Sequence, residues 1–477
     1  MLQPRLFMAY LALPVSVAFA FVVYVTLNES GIPFRRPSEP ERPDLSRYRH
    51  IQTLSADEFP LDDPQRRVIL IGDIHGMDRW FRKLLDEVDY DSQTDVLVHT
   101  GDFIARGDYN GSMAVIDFMT TYNVAGVRGN HDQKVLEWRE WMEWFDTLWD
   151  ASEWLAELES AWNEAEEKGE SLKRWVKEQR KEARGRDALW WKKIPKGWIP
   201  FGDHYRIAKA LTEEQRAYLL SLPLKIHVPS AHTFVVHAGL LPGDVRYDYF
   251  DRERQPLARI PCIDSSCIDS DQKNVEALRS AQEREILERV PQNTIPWNNL
   301  NMRSVLRNND ISKKASKGTP WGVYWNTQMD MCNGYDLQNT VDKSSSFRIQ
   351  GSDALDMSSQ YLTTLPCHPS TVIYGHTAAR GLDIGRFSVG LDTGCVHGRK
   401  LTALILGPNP LPGNEEWEEV QYDVSSNDGV YEGDLDDDDS NFVESAMTER
   451  THSEKHRLTI RFGDNGQATL VGISCPQ

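Results

Sequence analysis

The feature that most constrains this chain is a repeated way of ending strands. Arg67-Val68-Ile69-Leu70-Ile71 is an apolar, β-branched run that reads as a buried strand of a parallel sheet, and it runs directly into Gly72-Asp73-Ile74-His75-Gly76. Asp95-Val96-Leu97-Val98-His99-Thr100 runs into Gly101-Asp102, and Val124-Ala125-Gly126-Val127-Arg128 into Gly129-Asn130-His131-Asp132. Helical patterns fill the gaps, with Trp80-Phe81, Leu84-Leu85 and Val88 in the first and Met113 to Tyr122 in the second. Asp73, Asp102 and Asn130 are therefore 29 and 28 residues apart. That is the spacing of βαβ units, whose right-handed crossovers bring the three strand ends to one edge of one sheet. Ligands of open α/β sheets bind at that edge.

Two more strands carry a histidine at the same kind of position. Thr233-Phe234-Val235-Val236-His237 precedes Ala238-Gly239, and Thr371-Val372-Ile373-Tyr374-Gly375 precedes His376-Thr377. Either histidine alone reads as a satisfied polar cap. Beside three clusters of carboxylates, imidazoles and an amide, both read as ligands of a metal site built from N and O donors.

In this order, Gly72-Asp73-Ile74-His75-Gly76, Gly101-Asp102-Phe103-Ile104-Ala105-Arg106-Gly107, Gly129-Asn130-His131-Asp132, His237-Ala238-Gly239 and Gly375-His376 resemble the phosphoprotein-phosphatase branch of the calcineurin-like metallophosphatases. The resemblance covers residues 67 to 407 and implies an α/β fold, a four-layer α/β/β/α sandwich with a two-metal site. By motif position Asp73 and His75 hold the first metal, Asp102 bridges both, and Asn130, His237 and His376 hold the second. Ala378 stands where some relatives place a further histidine. The resemblance further implies that Arg106 clamps the phosphoryl group, that His131 protonates the leaving oxygen, and that a second arginine binds phosphate; Arg303 is the candidate. The chemistry agrees, since two cations activate a water and neutralise phosphoryl oxygens, and a guanidinium fork binds two of those oxygens at once.

One departure bears on the substrate. The resembled protein phosphatases carry Asp directly before the arginine, whereas this chain carries Ala105. Ala105-Arg106-Gly107 and Gly390-Leu391-Asp392-Thr393-Gly394-Cys395 are more similar to bacterial diadenosine tetraphosphatases. With the uncharged stretch Leu6–Leu27, these motifs and the run from His376 to Leu406 taken together, the chain is similar to the zinc-dependent vacuolar endopolyphosphatases of fungi, which cut within chains of inorganic phosphate. That likeness implies two divalent ions with zinc favoured, although the donor set suits Mn, Co or Fe equally. It also implies a polyphosphate or other polyanionic phosphate substrate, and a vacuolar membrane protein with its catalytic domain in the lumen. The alternatives are a dinucleoside polyphosphate hydrolase, a serine/threonine protein phosphatase, or a catalytically dead, metal-stabilised scaffold.

Residues 1–5 form a short flank to Leu6–Leu27, an uncharged stretch about 33 Å long as a helix, enough to span a bilayer. Ala18-Phe19-Ala20 offers the rival reading of a cleaved signal peptide. Arg35, Arg36 and Arg42 beyond the helix lean toward a cytosolic domain, and the sequons at Asn28 and Asn110 toward a lumenal one. Residues 28–64, rich in proline and charge, read as an extended stem; 65–407 as the catalytic domain; and 408–477 as an extension with an acidic loop at Asp434–Asp439 and final strands around 458–462 and 468–471 that could return to a sheet edge. The net charge of −19 argues against a general nucleic-acid binder. Six cysteines include no C-x-x-C pair, which disfavours a structural zinc knuckle; Cys262 and Cys267 are close enough to bridge.

Residues 133–200 read as a helical insert, in which Trp138, Trp141, Phe145, Leu148, Trp149, Leu155, Leu158 and Trp162 follow helical spacing and point to an aromatic packing face. Charge divides along it, with eleven acids and one arginine over 137–167 and ten Lys/Arg against three acids over 173–196. Lys173, Arg174, Lys177 and Lys181 read either as a solvated face or as a landing strip for a polyanion.

Overall fold

The computed structural model describes residues 40–45, 47–261, 275–335, 364–407, 457–464 and 466–476. Its strands are β1 (Arg49–Thr53), β2 (Arg67–Ile71), β3 (Asp95–His99), β4 (Ala125–Gly126), β5 (Pro223–Val228), β6 (Thr233–Val236), β7 (Ser304–Val305), β8 (Ile311–Ser312), β9 (Thr319–Pro320), β10 (Thr371–Tyr374), β11 (Asp383–Ile384), β12 (Ser388–Gly390), β13 (Lys400–Leu406), β14 (Arg457–Phe462) and β15 (Gly466–Ser474). One six-stranded sheet runs β14-β15-β13-β2-β3-β4 and a second runs β1-β5-β6-β10-β12-β11, while β8-β7-β9 form a small third sheet.

The apolar runs are unbroken because both faces of each central strand are buried. On β2, Val68 and Leu70 point between the two large sheets, where they join Leu404, Ile226, Val235, Ile373 and Val389. Ile69 and Ile71 point the other way, onto helices α1 (Asp78–Glu87) and α2 (Tyr109–Thr121) through Phe81, Leu84, Ile116 and Met119. The outer face of the second sheet, with Phe234, Val236, Val372 and Tyr374, meets Leu287, Trp321 and Trp325. The result is helices, sheet, sheet, helices. β2, β3 and β4 are mutually parallel, as are β6, β10 and β12. Each large sheet therefore delivers several strand ends to one edge.

The insert comprises α3 (Asn130–Asp146), α4 (Ala151–Glu167), α5 (Leu172–Glu182), α6 (Gly185–Trp191), α7 (Asp203–Ala210) and α8 (Glu213–Ser221), so it runs on to β5 rather than stopping at 200. Trp138, Trp141, Phe145, Trp154 and Trp162 pack into one aromatic core. Trp149 does not. The helical register breaks at 147–150, where Asp150 turns into the left-handed region at φ 61°, and Trp149 stands 87% exposed.

Two segment boundaries also move. Part of the stem, Arg49–Thr53, pairs in parallel with β5; as an edge strand it is half-exposed and carries no apolar alternation to betray it. The final strands do return to a sheet edge, where they extend the sandwich beyond 407, since β15 pairs along β13 and β14 along β15. Disulfides join Cys332 to Cys367 and Cys395 to Cys475. Leu6–Leu27, Cys262, Cys267 and the acidic run Asp434–Asp439 lie outside the described residues, among which no helix is long and apolar enough to cross a membrane.

Candidate metal centre

Five strand ends assemble the centre. Asp73 and His75 follow β2, Asp102 follows β3, Asn130 opens α3 just beyond β4, His237 follows β6 and His376 follows β10. Ligand atoms of Asp73, His75 and Asp102 lie within 4.8 Å of one another, and so do those of Asp102, His237 and His376. Asp102 is common to both groups. Asn130 joins the second, with its Oδ1 3.0 Å from His237 Nε2, which in turn lies 3.3 Å from Asp102 Oδ2.

The backbone is bent to achieve this. His75, Asp102 and His376 adopt φ of 50°, 50° and 71°, and Ala105 and Arg106 adopt 68° and 72°. Few non-glycine residues occupy that left-handed region, at a cost on the order of 1–3 kcal/mol each, and such outliers concentrate at functional sites. Two glycines give the carboxylates room. A Cβ on Gly375 would stand 2.0 Å from Asp73 Oδ1, and one on Gly129 2.0 Å from Asp102 Oδ1.

Surrounding hydrogen bonds fix the ligand atoms. His237 Nδ1–H donates to the Thr100 carbonyl at 2.9 Å, which turns the Nε2 lone pair toward Asp102. Both oxygens of Asp73 accept from the His376 amide, at 3.1 and 3.0 Å. Asp102 Oδ1 accepts from the His131 amide at 2.8 Å. Asp132 Oδ2 accepts from the amides of Asp102 and Gly129 at 2.9 and 2.8 Å.

The electrostatics fit a bound cation. Burial, then the charges of Asp392 and Asp102, push the Asp73 carboxyl well up. Burial and Asp102 likewise push Asp132 up to about 7. Asp102 goes the other way: burial opposes its charge, but His237, His131 and His75 hold it well below the usual carboxylate range. Burial drives His75 down to about 4 despite Asp102, and drives His376 far below its usual value with Arg303 adding to the effect. Neutral imidazole is the form that ligates metal. His75 Nδ1 and His376 Nε2 are, moreover, buried without a hydrogen-bond partner. Clustered carboxylates, neutral imidazoles with orphaned ring nitrogens and an amide oxygen fit divalent transition ions.

Arg303, Arg106 and His131, the residues expected to meet phosphate, come to the same place. Arg303 Nη2 donates to the His376 carbonyl at 3.0 Å and Nη1 to the Lys313 carbonyl at 2.8 Å, which puts the guanidinium beside that ligand. Arg106 is close enough for its charge to bear on His75 and His131. The His131 ring stands edge-on to His75 with centroids 5.2 Å apart. Lys173, Arg174, Lys177 and Lys181 are elsewhere: they are exposed on α5, whose Trp175 and Val176 face the insert core, and none belongs to the ligand groups.

The sequence reading passed over five residues here. Asp132 lies inside a quoted motif but received no role. Asp392 is buried, its carboxyl raised to about 6 by burial, and its charge bears on Asp73. His397 bears on His75. Asp203 and His204 come from α7, within the insert, with His204 Nε2 2.8 Å from His131 Nδ1. The only local signal for this pair is Gly202-Asp203-His204 at a helix start.

Residues 66–257 match the family model described as calcineurin-like phosphoesterase. The chain is 41% identical over 87 residues to serine/threonine-protein phosphatase 1 of Salmonella typhimurium, covering 18% of this chain and 37% of that protein. It is 44% identical over 69 residues to the symmetrical bis(5'-nucleosyl)-tetraphosphatase of Proteus mirabilis, covering 14% and 24%. The matches thus span about a quarter to a third of these relatives' lengths. A crystal structure of a candidate diadenosine tetraphosphatase aligns over 76% of this chain and 100% of its own, at 19% identity and a TM-score of 0.37.

Proposed function

We propose that this chain, whose residues 66–257 are a calcineurin-like phosphoesterase domain, hydrolyses phosphoanhydride bonds and cuts within chains of inorganic polyphosphate. The observation that carries the reading is the sharing of Asp102 between two ligand groups, flanked by Arg106, Arg303 and His131. Asp73 and His75 would hold one divalent ion, Asn130, His237 and His376 the other, with Asp102 between them. Bound there, such ions lower the pKa of a water and neutralise phosphoryl oxygens. Arg106 and Arg303 bind and orient the non-bridging oxygens of the phosphoryl group under attack. A P–O bond to the water oxygen forms as the bond to the leaving phosphate breaks, and His131 gives the leaving oxygen its proton.

The substrate rests on other features. The exposed basic face of α5 suits a polyanion with about one charge per residue, whose binding releases counterions as nucleic acids do. Two disulfides suit an oxidising lumen, which supports a lumen-facing domain tethered by Leu6–Leu27, and zinc is the ion we favour. Product sizing from long polyphosphate is the test: shortened chains are expected, and release of free phosphate alone would overturn internal cleavage. Neutralising Lys173, Arg174, Lys177 and Lys181 together should raise KM for long chains far more than for a small aryl phosphate. The named relatives favour a second reading, hydrolysis of dinucleoside polyphosphates. Preferential turnover of diadenosine tetraphosphate over polyphosphate would establish it instead.

A further inference from the structure

The His131 ring is not left to find its own orientation. Its Nδ1 lies 2.8 Å from His204 Nε2, and the two rings meet edge to edge and nearly coplanar, with an interplanar angle of 19° and centroids 5.0 Å apart. His204 Nδ1 in turn lies 2.6 Å from Asp203 Oδ1, while Asp203 Oδ2 accepts the backbone N–H of Arg106 at 2.7 Å. Asp203 and His204 are the first two residues of α7, which leads the insert back toward β5. One carboxylate thus reaches the leaving-group histidine through a second imidazole and also holds the left-handed turn that presents Arg106.

We propose that Asp203 and His204 are positioning residues for His131, a relay Asp203–His204–His131 supplied by the insert and not by the strand ends. The proposal rests on the reading of His131 as the leaving-group acid. Hydrogen-bond chemistry fixes the roles. Asp203 is a pure acceptor, so His204 carries a proton on Nδ1. The line between the two rings holds one further proton, and with His131 Nδ1 engaged there, Nε2 is the nitrogen presented to substrate. When the Nε2 proton passes to the leaving oxygen, His131 keeps its Nδ1–H, which donates to His204 Nε2. Solvent restores the proton after product leaves. Burial raises the Asp203 carboxyl, but the His204 ring and the Arg106 amide outweigh it and hold the group well below the usual range, keeping it the acceptor that the relay requires.

The test compares leaving groups on the metal-loaded full chain. Phenyl phosphate has a far more basic leaving oxygen than 4-nitrophenyl phosphate, and so depends more on an acid. His131→Ala and His204→Ala should both lose at least about 30-fold more kcat on phenyl phosphate than on 4-nitrophenyl phosphate. His204→Gln, which restores a polar atom near the Nε2 position, should recover most of that selectivity. A downfield resonance from the N–H shared by the His131 and His204 rings should be present in the wild-type protein, with or without metal, and absent from both alanine variants, whereas the His204 Nδ1–H bonded to Asp203 should survive in His131→Ala. If His131→Ala discriminates between the esters and His204→Ala does not, the relay is refuted and the acid reading stands. If His131→Ala does not discriminate, the acid reading fails and the relay with it. Absence of the downfield proton from the wild-type protein refutes the relay whichever esters are turned over.

Discussion

Gly129 and Gly375 permit a sharp test of the shared-ligand arrangement, because an alanine at either strikes a different carboxylate. In Gly129→Ala the new Cβ falls 2.0 Å from Asp102 Oδ1 and 2.3 Å from the Asp102 amide nitrogen. In Gly375→Ala it falls 2.0 Å from Asp73 Oδ1 and 2.7 Å from Thr100 Oγ1. Ordinary contact begins near 3.4 Å, so each carboxylate must retreat by more than 1 Å. Metal–ligand distances tolerate about 0.2 Å. Overpacking of this kind costs about 1–3 kcal/mol in the metal-free protein. Loss of a supporting contact alone weakens metal binding by about 10–100-fold, so displacing the ligand itself should cost at least about 100-fold. The two variants should nonetheless differ. Gly129→Ala moves the carboxylate common to both groups and should weaken both ions together, whereas Gly375→Ala should weaken chiefly one. Equilibrium dialysis with metal analysis, beside denaturant unfolding of the metal-free proteins, reads both effects. Two ions of unchanged affinity in Gly129→Ala, or equal loss of both in Gly375→Ala, would refute the assignment of Asp102 as the shared ligand.

Two further predictions concern the outer side of the second sheet. Glu283 is fully buried, with His227 Nε2 at 2.7 Å, His232 Nδ1 at 3.0 Å and Ser370 Oγ at 3.0 Å, so Glu283→Ala should destabilise by about 3–5 kcal/mol in denaturant unfolding while metal stoichiometry is unchanged. Lys225 is buried against the Asn293 carbonyl, and burial lowers its ammonium to about 8. Its unfolded value is higher, so the unfolded chain holds the proton longer and stability should rise between about pH 8 and 10.5, by about 3 kcal/mol in all. Lys225→Met should flatten that rise, and the Asn293 carbonyl still has the Asn299 side chain as a donor.

Much of the site was legible because its residues sit beside strong strand signals. Asp73, Asp102, Asn130, His237 and His376 each close an apolar run, and the period of the βαβ units places those ends together without knowledge of the contacts. Asp203 and His204 were illegible for the opposite reason. They lie 72 and 73 residues from His131 along the chain, across helices whose pattern reports only how the insert packs on itself. The Asp132 carboxylate was hidden by its surroundings, as its partners are backbone amides and backbone contacts leave no trace in side-chain pattern. β1 was missed because an edge strand with one solvated side needs no apolar alternation. Trp149 was misread because helical spacing was carried across a turn; one left-handed residue, Asp150, suffices to reset the phase.

The return of β14 and β15 to the first sheet bears on how the chain is made. β13 is buried almost throughout and pairs with β2 on one side and with β15 on the other, Leu401 opposite Ile473 and Leu404 opposite Leu470. Until β15 exists, that second side is an open edge of apolar sequence, Leu401-Thr402-Ala403-Leu404-Ile405-Leu406, the kind of template on which other chains pair. The residues that close it begin at Gly466, some 60 positions later, an interval on the order of several seconds of synthesis. The Cys395–Cys475 bond can form only after that. Every residue of the candidate metal centre has therefore been made while its supporting sheet is still unprotected, and a chain cut short after Leu406 would keep the site's residues yet expose the edge for good.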